Sequence, residues 1–233
     1  MTSISTANKE EPRVIKVAIV SDIVCIWCYF AVRGMEIAIE KLQLPPNTPI
    51  KFEFEHRPYL LNPTLKHDET ISRQEFVKRH YGEDRWESAT VMVEQRSKEL
   101  GINLAPDSMI FNTLNCHRLL LSAWRKGRDK LQQPLLNDLF EALYLRGEDL
   151  TKSEVLTHYA AKVGLMTKHE AMEFIRSDDL KAEVQRMAAI AQRNGVTGVP
   201  FVLLDGRWVI SGSQTEDVYY PLFQKLVDGK DLQ

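Results

Sequence analysis

The ten residues SDIVCIWCYF, 21–30, set Cys25 and Cys28 three apart between an apolar run and a segment of helical spacing. Upstream, VIKVAIV (14–20) is β-branched and apolar apart from Lys16, the pattern of a strand covered on both faces in the middle of a sheet. Downstream, YFAVRGMEIAIEKLQL carries apolar residues at helical spacing and stops at Pro45 and Pro46. Cys25 therefore stands where a strand hands over to a helix. IKFEFE (50–55) then alternates strictly, Ile50, Phe52 and Phe54 on one face and Lys51, Glu53 and Glu55 on the other, which predicts a half-exposed strand. A strand, helix, strand unit of this kind is expected to be parallel with a right-handed crossover.

From about residue 66 to residue 195 the pattern is helical throughout and accommodates six or seven helices. Ser72 with Glu75, Asp84 with Glu87, Thr151 with Glu154 and Thr167 with Glu170 have capping-box spacing, and Gly101, Gly127, Gly147, Gly164 and Gly195 fall where helices should end. After Gly195, PFVLL, the turn residues Asp205 and Gly206, and RWVISG read as a hairpin. A last helix follows, capped by Ser213 with Glu216, its apolar stripe interrupted at Pro221. The pattern is an α/β fold: a small mixed sheet with flanking helices, split by an all-helical insertion. The divisions expected are a flexible tail over 1–13, the first half of the sheet domain over 14–64, the insertion over 65–194 and the second half over 195–233.

At 233 residues the chain is long enough for a generous core, and 44% hydrophobic with 27% charged residues is the balance of a globular protein. A net charge of −2 without a basic block gives no reason to expect a nucleic acid partner. No apolar run approaches the length of a membrane span, and residues 1–13 look like neither a secretory signal nor a transit peptide, so a cytoplasmic location is expected. Three cysteines do not make a structural disulfide framework. In a reducing compartment a CxxC pair is more often catalytic or metal-binding.

A thiol attacks as thiolate, and one at a helix start faces unpaired N–H groups and the positive end of the helix dipole. CxxC thiols fall from ~8.5 to anywhere between about 3.5 and 7.5 for this reason. Cys25 fits that role. Cys28, one turn on and on the same face, is placed to attack a mixed disulfide formed at Cys25 and release the product. Two other readings stay open, buried packing and a zinc site. Zinc needs more ligands, and the remaining candidates, Cys116 and His117, are adjacent and diverge by about 100 degrees on a helix. No metal is expected.

CIWC together with a distant Val199-Pro200 opening a strand resembles the thioredoxin superfamily, in which a cis proline sits opposite the CxxC. SDIVCIWCYF, RPYLLNP (57–63), NTLNCHRLLLSAW (112–124), LFEALYLRGEDL (139–150) and GVTGVPFVLLDGRWVISGSQ (195–214) are together similar to the FrnE-like branch of the DsbA-like oxidoreductases. The resemblance runs from about residue 14 to the C-terminus. It implies a thioredoxin fold with a helical insertion, Cys25 as nucleophile, Cys28 as resolving thiol and a substrate segment laid against Val199 and Pro200. Two positions depart from the branch: Ile26 stands where Pro is usual, and Cys116 where Ala is more frequent.

The supporting residues have paired readings. His117 either lines the cleft beside the thiols or is a hydrogen-bonded core histidine; Asn112 is a helix cap or a substrate contact. Asp22 caps the turn before Cys25 or accepts a proton from Cys28. Trp27 is a docking surface for substrate or packs. Ser213 and Gln214, before the last helix, are an ordinary cap or the site where glutathione-using relatives hold the γ-glutamyl end. Cys116, with helical neighbours Leu119, Leu120 and Ala123, reads as a core thiol in preference to a third redox cysteine.

The function expected is a thiol-disulfide oxidoreductase or isomerase acting on protein or small-molecule thiols and disulfides, as a monomer or homodimer. No tightly bound cofactor is expected, with glutathione as redox partner or cosubstrate. The alternatives are a glutathione-dependent transferase or isomerase of the kappa-class or chromene-carboxylate isomerase type, which usually carries serine in place of Cys25, and a holdase using an apolar cleft.

Overall fold

The computed structural model describes residues 12–46, 48–106 and 108–232. In chain order the elements are β1 (Arg13–Ser21), α1 (Ile26–Lys41), β2 (Ile50–Pro58), β3 (Thr70–Ser72), α2 (Arg73–Tyr81) and α3 (Glu83–Glu99). Then follow β4 (Met109–Phe111), α4 (Leu114–Gly127), α5 (Asp129–Tyr144), α6 (Ser153–Lys162), α7 (Lys168–Arg176) and α8 (Lys181–Arg193). The chain closes with β5 (Phe201–Leu204), β6 (Trp208–Ser211) and α9 (Glu216–Val227). Of the expected tail, residues 1–11 lie outside the described residues. Arg13 is no part of a tail, since it opens β1 opposite Ile50.

The sheet has the order β2-β1-β5-β6. β2 runs parallel to β1, with Val17 opposite Phe54, and β5 antiparallel, with Ile19 opposite Val202. β1 thus lies in the interior of the sheet, with Ile15, Val17 and Ile19 fully buried, while Val14 and Lys16 at its start stay exposed. The β5–β6 hairpin turns at Asp205 and Gly206, both at positive φ, and closes with the Arg207 N–H donating to the Leu204 carbonyl at 3.0 Å. α1 and α9 pack together, and Phe52 of β2 meets Phe223 of α9 at 5.1 Å between ring centres.

The charged face of β2 is less open than its alternation predicts. Lys51 pairs with Asp129 at 3.0 Å and Glu53 with Arg128 at 2.8 Å, both at the start of α5. Farther along, Gln132 acts as a substitute strand for this sheet edge. Its Oε1 accepts from the His56 N–H at 2.8 Å, and its Nε2 donates to the His56 carbonyl at 2.9 Å and to the Leu120 carbonyl at 3.1 Å. A fully buried amide thereby satisfies backbone groups that an edge strand leaves open.

Between β2 and β5, seven helices were within expectation, but an uninterrupted helical pattern was not what forms. β3 and β4 pair as an antiparallel ribbon, Ile71 opposite Ile110. Three-residue strands are too short to show a period of two. Ser72 and Thr167 cap as their spacing predicts, the latter in a full capping box. Three other caps differ. α3 begins at Glu83 directly after Gly82, ahead of Asp84; Thr151 donates its hydroxyl to Asp149 at 2.6 Å, and Lys152 precedes α6; and Thr215, in place of Ser213, precedes α9. α9 also continues through Pro221 without a break. Gly127 differs from the other four expected helix-ending glycines, since Arg128 takes the positive φ after α4. What Gly127 provides is space, because a Cβ there would lie 2.5 Å from Leu131 Cγ.

Candidate active site

β1 delivers the chain to Ser21 in the interior, Asp22 to Val24 form a turn, and Cys25 occupies the cap position before α1. The Cys25 N–H donates to the Asp22 carbonyl at 3.1 Å, and the Cys25 carbonyl accepts from the Cys28 N–H at 2.9 Å, which closes the first turn. No side chain caps α1, and no acid lies in its first turn. The positive end of a 16-residue helix is thus left to the Cys25 sulfur.

All three cysteines are unpaired thiols and buried, Cys25 the most accessible of them at 8%. Cys25 is held below the ordinary thiol value, chiefly by a hydrogen bond from Cys28, with burial opposing and Arg73 adding to the lowering. Cys28 is pushed well up by burial and by donating that same bond. Cys116 is raised by burial and by the nearby Asp22 charge. The two thiols of the CxxC are therefore set apart in opposite directions, one lowered and one raised.

The Val199-Pro200 peptide bond is cis. It brings the Val199 carbonyl to 3.5 Å from Cys25 Sγ, where the thiol form donates to it. On ionisation Cys25 loses that donor and accepts from Cys28 instead. Pro200 is tied to the hairpin by the Gly212 N–H at 2.9 Å. Thr197 and Gly198, just before this contact, are exposed. Trp27 is half-buried with its ring edge-on to Phe30 at 5.6 Å, leaving part of its surface beside the pair.

Beneath the thiols, Asp22 is fully buried and accepts from the Leu61 N–H at 2.7 Å through one oxygen. The other oxygen lies 3.3 Å from His117 Nε2. His117 is a hydrogen-bonded core histidine, 3% exposed, that reaches the site through Asp22 and not by lining a cleft. Asn112 donates to the Pro63 and Leu65 carbonyls and accepts from the Leu114 N–H, so it fastens the loop after β2 to the start of α4. Ser213 and Gln214 lie between β6 and α9. The Gln214 N–H donates to Tyr219 Oη, its amide to the Ser211 carbonyl, and its own carbonyl packs on Gly34 of α1. The α9 start is occupied by Glu216, paired with Arg96 of α3 at 2.8 Å.

Sequence reasoning did not find two further residues at the site. Arg73 Nη2 donates to the Val24 carbonyl and to Tyr144 Oη, each at 3.0 Å, and Tyr144 Oη donates to the Ile23 carbonyl at 3.1 Å. Tyr144 in turn stacks on Tyr29, next to Cys28, with ring centres 5.8 Å apart. Two surface cavities, one lined by residues such as Lys16, Glu55 and Trp124 and the other by residues such as His67, Arg118 and Asp178, include no cysteine. Among the described residues, no group of three or more His, Cys, Asp or Glu side chains is arranged to hold a metal ion, and no helix is long and apolar enough to cross a membrane.

A sheet of order β2-β1-β5-β6 interrupted by helices, with a CxxC at the head of α1, defines a thioredoxin-fold protein. A family model, the DSBA-like thioredoxin domain, matches residues 16–222, and the chain belongs to that family. Among solved structures it is similar to a probable DsbA oxidoreductase from Streptomyces coelicolor, with a TM-score of 0.79 and 24% identity over 94% of this chain and 92% of that one. It is also similar to the cytosolic disulfide reductase DsbM from Pseudomonas aeruginosa, with a TM-score of 0.63 and 17% identity over 91% and 98% of the two chains. A third similar fold is that of 2-hydroxychromene-2-carboxylate isomerase, with a TM-score of 0.65 and 14% identity over 91% and 94%. No curated protein matches the chain.

Proposed function

We propose that this DsbA-like protein is a dithiol-disulfide oxidoreductase or isomerase with Cys25 as nucleophile and Cys28 as resolving thiol. The observation that carries this reading is the opposed setting of two thiols in one CxxC, Cys25 lowered at an uncapped helix start and Cys28 raised in the core. The Cys25 thiolate attacks one sulfur of a substrate disulfide and expels the other as a thiolate. Cys28 then gives up its proton, through the buried Asp22 or to the departing thiolate, and attacks Cys25 Sγ. The substrate's second sulfur leaves as thiolate, and two electrons have passed from the Cys25–Cys28 pair to the substrate. Oxidised protein is restored by an external dithiol or by two molecules of a monothiol such as glutathione. When Cys28 does not intervene, the mixed disulfide is open to attack by another thiol of the substrate, which is isomerisation.

Val199 and Pro200 present backbone to the substrate beside the sulfur, and Trp27 offers it an apolar surface. Three unpaired cysteines suit a reducing, cytoplasmic setting, in which such a pair works toward reduction or isomerisation. Likeness to the FrnE-like branch of the family rests on the same motifs. Residues 65–194 are the insertion and 14–64 with 195–233 the thioredoxin halves of this reading.

Glutathione-dependent transfer or isomerisation is the second reading, favoured by the fold shared with 2-hydroxychromene-2-carboxylate isomerase. Against it, the α9 start carries Glu216 and Asp217, and Arg96 already holds Glu216. The test is reduction of insulin or a small aromatic disulfide. The Cys25→Ser variant should lose it completely. Undiminished activity in that variant would reject the assignment, and saturable glutathione binding by the double serine variant would favour the second reading.

A further inference from the structure

The helical block sends one cation back to the catalytic turn. Arg73 opens α2, and its own N–H donates to the Ser108 carbonyl at 3.0 Å while its Nε donates to Ser108 Oγ at 2.7 Å. Both bonds lie at the end of the β3–β4 ribbon, so the ribbon that interrupts the helices is what orients this side chain. Its Nη2 reaches the Val24 carbonyl, immediately before Cys25, and Tyr144 Oη, which holds the Ile23 carbonyl. The guanidinium also lies 5.4 Å over the Tyr144 ring. Three successive positions of the turn, Ile23, Val24 and Cys25, are thereby held or influenced by residues of the insertion.

We propose that Arg73 is a positioning residue for the Cys25–Cys28 pair: it fixes the turn before Cys25 through the Val24 carbonyl and supplies, from the helical block, the cation that favours the Cys25 thiolate. The inference rests on the function proposed above and adds a role for the insertion. The charged and titratable groups facing Cys25 are Cys28 of α1, Asp22 at the end of β1, Arg73 of α2 and Tyr144 of α5, with His117 of α4 acting through Asp22. Arg73 is the only arginine or lysine in that set and opposes the Asp22 charge.

The consequence extends to redox poise. The attraction acts on the reduced, ionised pair and vanishes once Cys25 enters a disulfide, so Arg73 makes the protein a stronger oxidant than the same site without it. Loss of the charge should weaken the acidity of Cys25, and at a pH where the thiolate is formed in both proteins each tenfold rise in its proton affinity lowers the potential by about 30 mV for a two-electron couple.

The test compares the full-length wild type with Arg73→Met, which removes charge and donors, Arg73→Gln, which keeps an N–H donor without charge, and Arg73→Lys, which keeps the charge. The readouts are the pH profile of iodoacetamide modification mapped to Cys25 and an equilibrium titration against glutathione. The expected result is a Cys25 midpoint raised and the matching fall in potential in Met and Gln, with Lys restoring at least half of both. If Arg73→Met does not fold, Gln against Lys carries the comparison. Profiles of Met or Gln that coincide with the wild type, or a Lys variant as shifted as Gln, would overturn the proposal. A wild-type Cys25 that titrates as an ordinary thiol would instead sink the functional reading itself.

Discussion

His56 lies on β2 where the sheet meets α5, its backbone held by Gln132 and its Nε2 2.6 Å from Gln133 Oε1. The ring is buried, and its Nδ1 has no hydrogen-bond partner. Burial therefore pulls its pKa from 6.5 down to about 4, against the Gln133 bond, with His117 adding to the lowering. Between those two values the unfolded chain binds a proton that the folded chain refuses. Stability consequently rises with pH across this window and is lost as pH falls through it. From pH 7 to pH 5 the loss amounts to about 2 kcal/mol, a sizeable part of the 5–15 kcal/mol typical of a domain. Carboxylates held below their ordinary range, such as Glu53 and Glu216, act in the same sense but in a lower window: their contribution is complete above the unfolded carboxylate value and is lost only below it. The interval from pH 7 to pH 5 therefore excludes the carboxylates, and the difference between the wild type and His56→Gln removes whatever the lowered Cys25 thiol adds to the fall. Urea unfolding at pH 7, 6 and 5 should show the free energy falling by that amount in the wild type and by much less in His56→Gln. A wild-type stability that does not change over this interval, or an equal fall in the variant, would refute the reasoning.

Cys28→Ser should accumulate a mixed disulfide at Cys25 with a thiol-bearing substrate, visible by mass spectrometry, because no second thiol remains to resolve it. Cys116→Ala should leave the redox potential within about 10 mV of wild type, since a thiol raised by burial does not exchange; a larger change would give Cys116 a redox role. Gly127→Ala should destabilise by about 1–3 kcal/mol in thermal or urea unfolding, because the added Cβ meets Leu131 at 2.5 Å, and an unchanged midpoint would show that Leu131 moves aside freely.

The parts of the fold legible in the sequence are those whose pattern persists over many residues. VIKVAIV, the long stripe of α1, the alternation of IKFEFE and the Asp205-Gly206 turn each repeat one period or need one special backbone angle. The ribbon of β3 and β4 was not legible, because TIS and MIF contain no repeat and pair across 35 or more residues. Caps failed where several short polar residues competed for one helix start, as Ser213 and Thr215 do before α9. At the site, the thiols and the Val199-Pro200 segment carry distinctive residue types at fixed spacing and are found together. Arg73, Tyr144 and Gln132 act through long-range hydrogen bonds to backbone carbonyls and N–H groups, and an arginine in a polar stretch or a glutamine in a helix has no local signature of that role. His117 had two equal readings because one histidine on an apolar helix says nothing about its partner, and the partner is Asp22.

The measurement that bears most directly on the account is an equilibrium titration of the wild type against glutathione redox buffer, followed by alkylation and mass mapping of all three cysteines. An intramolecular bond between residues 25 and 28 that forms in one two-electron step, with residue 116 free at every potential and residue 25 alkylating at a pH well below that of an isolated cysteine, is the predicted result. A residue 25 that reacts as an isolated cysteine does, together with no such bond under oxidising conditions, would contradict it.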